Sequence, residues 1–258
     1  MKLIRLAAIV FLVAQTPALT AQSLKVMTYN IHHGADKEDA GTLEEMGKFI
    51  KDSGADLVGL QEVDSMCNRS GNVDQMKRLS EITGMEYAFV RHFAYDGGAY
   101  GLGVLSRYPI SNVRNERITI LPKNEAKPSL AFLTAQIRLP TGKEILFSTV
   151  HFSLNAPARI LQANEVLGFI KDKGVPAILT GDLNALPGTE EILTLESHFT
   201  ETGSAEALTF SADKPLKKID YIMVSTPALG TVLHSKVYSD VLLSDHLPVM
   251  SEVMIAQE

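Results

Sequence analysis

Ala177-Ile178-Leu179-Thr180-Gly181-Asp182-Leu183-Asn184-Ala185 passes from an apolar run to two polar side chains within a few positions. A short buried strand is expected here, ending where polar chemistry begins. If the backbone stays extended through Leu183, Asp182 and Asn184 share one face while Leu183 points to the core. Gly181 permits a close backbone approach just before them. A carboxylate beside a carboxamide can orient a water and donate a hydrogen bond to developing negative charge. The same residues also suit a polar turn in which Asp and Asn satisfy nearby backbone groups, so other parts of the chain must decide.

Working outward, the pattern recurs. Residues 24–30 alternate as a strand ending on Asn30, before the polar turn Ile31-His32-His33-Gly34. Residues 56–63 read as a buried strand carrying Glu62 at its end. Another, 144–152, ends in Thr149-Val150-His151, and Asp220 and Asp245-His246 stand beside late apolar runs. Between the first two strands, Thr42 with Glu45 forms a capping-box pattern ahead of Leu43, Met46, Phe49 and Ile50. Val73, Met76, Leu79 and Ile82 mark a second helix closed by Gly84. Strands are expected at 87–93, 101–106, 113–120 and 130–139, helices at 157–171 and 189–195, and further strands around Leu208, at 219–224, 233–238 and 247–254.

The chain has 258 residues, 45% hydrophobic and 21% charged, which suits one large globular domain without repeats or linkers. At the N-terminus, Lys2 and Arg5 precede an apolar run over 6–14 and small residues up to Ala21. This is the pattern of a secretory signal, too short to span a bilayer, so residues 1–21 are expected to be removed and 22–258 to form the exported domain, periplasmic or extracellular. Losing Lys2 and Arg5 leaves 22 basic against 30 acidic residues, a net charge of 22 − 30 = −8 with His neutral. Such a balance lacks the basic face that gathers nucleic acid. Cys67 is the only cysteine, so no intramolecular disulfide is possible, and it reads as an apolar filler.

Seven short pieces, in this order, resemble the endonuclease/exonuclease/phosphatase family of phosphoesterases. They are Met27-Thr28-Tyr29-Asn30, Leu60-Gln61-Glu62-Val63, Tyr100-Gly101-Leu102-Gly103-Val104-Leu105-Ser106-Arg107, Thr149-Val150-His151, Gly181-Asp182-Leu183-Asn184, Ile219-Asp220-Tyr221-Ile222 and Ser244-Asp245-His246-Leu247-Pro248. The resemblance implies an α/β fold: a four-layer α/β/β/α sandwich of two packed mixed β-sheets flanked by helices. It further implies a metal-assisted attack of water on a phosphoester. Glu62 matches the family's metal-binding glutamate, with Asn30 and Asp245 holding or supporting the ion. Oxygen donors suit Mg²⁺, with Mn²⁺ or Ca²⁺ as substitutes. Asp182 matches the group that orients the attacking water and Asn184 its phosphate-binding neighbour. Asp220 matches the partner of a catalytic histidine, His246, and His151 a second histidine facing the phosphate.

Further residues carry two readings each. Arg69 and Arg159 suit phosphate binding or an ordinary surface role, and Tyr100 either walls a headgroup or follows a hairpin turn at Gly97-Gly98. His32 and His33 either touch substrate or sit in a solvated turn. The expected substrate is a small phosphoester or a lipid headgroup. A secreted nuclease is the alternative, and would gather Lys77, Arg78, Arg91, Arg107 and Lys127 around the site; a non-catalytic binding module is a third. A monomer without a transmembrane anchor is expected.

Overall fold

The computed structural model describes residues 23–120, 129–171, 173–225 and 229–255. The proposed signal segment and Lys127 lie outside them. The described chain forms two six-stranded sheets packed face to face, with helices on the outer faces. The first sheet contains β1 (Ser23–Asn30), β2 (Leu57–Ser65), β3 (Glu86–Tyr95), β4 (Gly98–Ser106), β11 (Leu229–Val237) and β12 (Val249–Ile255), ordered β11-β12-β1-β2-β4-β3. The second contains β5 (Ile110–Thr119), β6 (Ser129–Arg138), β7 (Glu144–His151), β8 (Ala177–Asp182), β9 (Phe199–Glu201) and β10 (Asp220–Ser225), ordered β5-β6-β7-β8-β10-β9. Each sheet has one parallel pair at its centre, β1 with β2 and β7 with β8, and antiparallel pairs elsewhere. A helix crosses over between the partners in both cases, α1 (Leu43–Ser53) in the first and α3 (Ala156–Ile170) in the second. With α2 (Gln75–Thr83) and α4 (Glu190–Glu196), these helices complete the four-layer sandwich.

Three apolar clusters follow from that layering. The central one joins the inner faces of both sheets through residues such as Val26, Leu57, Leu133, Phe147 and Ile178. Tyr29, Met46, Ile50 and Leu60 belong to the cluster under α1 and α2, and Val150, Val166, Leu179 and Ile192 to that under α3 and α4. The central strands are buried on both faces, which is why β2 and β8 read as nearly continuous apolar runs.

Several local readings need correction. The hydroxyl of Thr42 donates to the Leu243 carbonyl at 2.5 Å and makes no cap, so tertiary pairing wins over the capping box. No strand forms at Leu208, which lies in a loop. The strand there is β9, whose three residues are too few to show an alternation. Nor does extended backbone persist through Leu183: β8 ends at Asp182 and Asn184 turns at φ 47°. The hairpin between β3 and β4 turns on Asp96-Gly97, both at positive φ, one residue before the expected Gly97-Gly98, because Gly98 already pairs with Tyr95.

Candidate active site

Register builds the site. In the second sheet His151 pairs with Asp182, and Asp182 with Asp220, so the three stand abreast at the end of β7, β8 and β10 and share one face. In the first sheet Asn30 ends β1 beside Gln61 of β2. The pairing of β2 with β4 then skips from Leu60 to Val63, a bulge in which Glu62 takes φ 57°. This re-aims the Glu62 side chain, whose Oε1 accepts a 2.9 Å hydrogen bond from Asn30 Nδ2.

Both sheets meet here. Asn30 Nδ2 also donates to Asp182 Oδ2 at 3.1 Å. Just beneath, Gln61 Nε2 donates to Thr149 Oγ1 at 2.7 Å, tying β2 to β7. Gly59 makes that approach possible, since a Cβ there would lie 2.0 Å from Thr180 Oγ1.

His246 arrives from the loop before β12. Ser244 fixes that loop, its Oγ donating to the Asn30 carbonyl at 2.8 Å and accepting from His246 N at 3.2 Å. The imidazole presents Nδ1 to Asp220 Oδ2 at 3.0 Å, while Nε2 lies 3.6 Å from Asp182 Oδ2. Burial alone would lower its pKa, but the Asp220 and Asp182 carboxylates outweigh burial and raise it to about 10. The ring is therefore a cation at neutral pH. Glu62 is shifted the other way: burial opposes ionisation, yet His151 and the Asn30 hydrogen bond hold its pKa below the usual value.

These groups line a cleft of about 680 Å³ that includes Glu62, Tyr100, His151, Asp182, Asn184, Asp245 and His246. Asn184 Nδ2 donates to the Phe152 carbonyl at 3.0 Å and lies 3.1 Å from His151 Nε2. Tyr100 is kept a neutral phenol by burial and by Glu62, which push its pKa well up. Arg159 reaches the cleft, with Nε on Glu191 Oε1 at 2.5 Å and Nη1 on the Leu154 carbonyl at 2.9 Å. Arg69 does not. It forms a two-pronged pair with buried Asp64, at 2.7 and 2.8 Å, stacks 4.6 Å from the Tyr95 ring centre, and lines a neighbouring cleft.

Phe210 and Lys217, like Leu154 and Leu186, line the cleft without any signal in the sequence. Phe210 places its ring 4.8 Å from that of His246, and Lys217 pairs with Phe210 across an isolated backbone bridge. Both come from an irregular loop, where no periodicity exists to read. Of the cations expected around a nuclease groove, Lys77, Arg78, Arg91 and Arg107 do not line this cleft.

The donor chemistry fits a hard divalent cation. Glu62 offers an ionised carboxylate whose hydrogen bond comes from Asn30, and Asp245 adds a second at the same cleft. Asn30 directs Nδ2 to Glu62 and Oδ1 to the His32 amide, so it holds Glu62 in place. Asp182, Asp220 and His246 also bring donor atoms within 4.8 Å of one another. Within that trio His246 Nδ1 is bonded to Asp220 at 3.0 Å, and Asp182 Oδ2 takes its hydrogen bond from Asn30.

YbhP of Escherichia coli (strain K12) is 27% identical over 249 residues, covering 90% of this chain and 96% of its own. Among solved structures, an endonuclease/exonuclease/phosphatase family protein from Bacteroides thetaiotaomicron superposes with a TM-score of 0.74 at 22% identity, covering 92% of this chain and 100% of that one. A mannosyl-6-phosphatase from the same organism gives 0.70 at 22%, covering 90% and 99%. The sequence profile of the Endonuclease/Exonuclease/phosphatase family matches residues 27–246, and the chain belongs to that family of phosphoester hydrolases.

Proposed function

We propose that the protein is an exported, Mg²⁺-dependent hydrolase of a small phosphoester or of the phosphoester in a lipid headgroup. The observation that carries this reading is the Asp220–His246–Asp182 arrangement: a buried imidazolium held between two carboxylates at the rim of a cleft. A fixed cation there stabilises the extra negative charge of a phosphoryl group under attack. Asp182 orients the water whose oxygen adds to phosphorus as the ester P–O bond breaks. Asn184 and His151 hold a phosphoryl oxygen. Glu62 and Asp245 would hold the Mg²⁺, which when bound neutralises phosphate oxygens and steadies the leaving oxygen.

The choice of a small or headgroup substrate rests on charge. The mature chain is acidic and, among the described residues, Arg159 and Lys217 are the only Arg or Lys side chains lining the cleft. The similar fold of the mannosyl-6-phosphatase supports the same side of the choice. The signal pattern at residues 1–21 supports export, and no helix of the described residues is long and apolar enough to cross a membrane.

The test is turnover with Mg²⁺ and chelator controls on a phosphodiester, a sugar phosphate, phosphatidylinositols, sphingomyelin and plasmid DNA. Chelator-sensitive turnover of a lipid or small phosphoester is expected. Turnover of DNA alone would overturn the substrate class.

A further inference from the structure

We propose that His32, His33 and Asp39 form a second metal site, separate from the catalytic cleft and suited to a transition ion of the Zn²⁺ class. One donor atom from each lies within 4.8 Å of the other two. His33 Nε2 and Asp39 Oδ1 are 3.4 Å apart. This is long for a hydrogen bond. It matches the spacing of two ligands on a tetrahedral ion, where arms of about 2.0–2.2 Å set donors about 3.3–3.5 Å apart.

The His32 ring is prepared for such a role. His32 Nδ1 lies 3.0 Å from the Asp36 carbonyl oxygen. A carbonyl only accepts, so the proton is on Nδ1 and Nε2 keeps the lone pair a metal needs. His33 turns Nε2 toward Asp39, and its Nδ1 is buried with no hydrogen-bond partner among the described residues, so this ring is aimed by its backbone and not by a bond to its second nitrogen.

The backbone is built to hold them. His32, His33 and Asp39 have φ of 41°, 47° and 61°, conformations that cost energy in non-glycine residues. Gln75 Nε2 clamps the His33 carbonyl at 2.5 Å. Asp36 Oδ1 accepts from the amides of Glu38 and Ala40, which folds Asp39 back toward His33. His33 and Asp39 open on the cleft of about 700 Å³ beside Arg69, leaving room for water or a further ligand on the ion.

Two imidazoles and one carboxylate favour Zn²⁺, Co²⁺ or Mn²⁺ over Mg²⁺, which prefers oxygens alone. The two ion sites are joined by one hydrogen bond, from His32 N to Asn30 Oδ1 at 3.0 Å. A control at Glu62 is therefore needed.

The experiment titrates chelator-treated protein with Co²⁺, followed by its visible absorption, with Zn²⁺ as competitor. Asp39→Asn is the principal variant because that side chain is 76% exposed and does not support the fold. We expect a visible band displaced by Zn²⁺, Co²⁺ affinity reduced at least about tenfold in Asp39→Asn and His33→Gln, and no change in Glu62→Gln. Absence of the band, or wild-type affinity in Asp39→Asn, overturns the proposal. So does a loss confined to Glu62→Gln, which would place the ion in the catalytic cleft. The readout is independent of catalysis, so failure of the phosphoesterase reading would leave it intact.

Discussion

His246 bridges Asp220 and Asp182: its Nδ1 lies 3.0 Å from one carboxylate and its Nε2 3.6 Å from the other, joining β10 and β8 through a single buried ring. Replacing His246 by Ala removes that cation from the cleft, and replacing Asp182 by Ala removes the water-orienting group. Each change is expected to lower kcat by about 10²–10⁴-fold while urea unfolding stays cooperative. Activity retained in either variant would remove both residues from the mechanism.

Glu62→Gln keeps the size of the side chain and its contact with Asn30 while removing the charge. A hard cation then loses a principal ligand. The Mg²⁺ concentration for half-maximal activity should rise at least about tenfold. An unchanged Mg²⁺ dependence would show that the ion is held elsewhere.

Arg69 answers the fully buried carboxylate of Asp64. Truncation to Ala would leave that charge uncompensated, costing toward the low side of about 3–5 kcal/mol because the guanidinium is partly solvated. Unfolding free energy should fall while KM stays near the wild-type value. A large rise in KM at unchanged stability would instead assign Arg69 to substrate.

His92 is a buried inter-sheet contact whose Nδ1 accepts from the Ala131 amide at 2.7 Å. Burial first, then the charges of His151 and Arg117, push its pKa well below 6.5. The unfolded chain therefore binds a proton on this ring below about pH 6.5 and the folded chain does not. Stability should fall with acidification by up to about 1.4 kcal/mol per pH unit from this residue. Comparing unfolding free energies of wild type and His92→Asn between pH 7 and pH 5 checks it, since the variant should lose that part of the slope.

Gly59→Ala would place a methyl group against Thr180 Oγ1 and Thr149, where the two sheets come closest below the site. The expected cost is about 1–3 kcal/mol, read as a lower melting temperature. Restoring space with Thr180→Ala in the same chain should recover part of the loss.

Much of the architecture was legible because burial imposes a period on sequence. The apolar runs of β1, β2 and β8, the stripe of α1 and the Gly84 cap of α2 are local consequences of core packing. Polar residues beside apolar runs marked Asn30, Glu62, His151, Asp182, Asp220, Asp245 and His246, because a carboxylate or imidazole interrupting an apolar run is costly without a partner. Glu62, expected at the end of its strand, lies inside β2, which runs on to Ser65. Phe210 and Lys217 left no such trace. They reach the cleft from an irregular loop, positioned by a backbone bridge rather than by any repeat of their own.

By itself the sequence determined which side chains were available and that several of them end core strands. Tertiary structure alone decided their use. Register set His151, Asp182 and Asp220 abreast, a bulge turned Glu62 toward Asn30, and Asp64 drew Arg69 out of the cleft. These outcomes depend on pairings between residues far apart in the chain, and the free energy of such contacts appears only when the sheets close on each other.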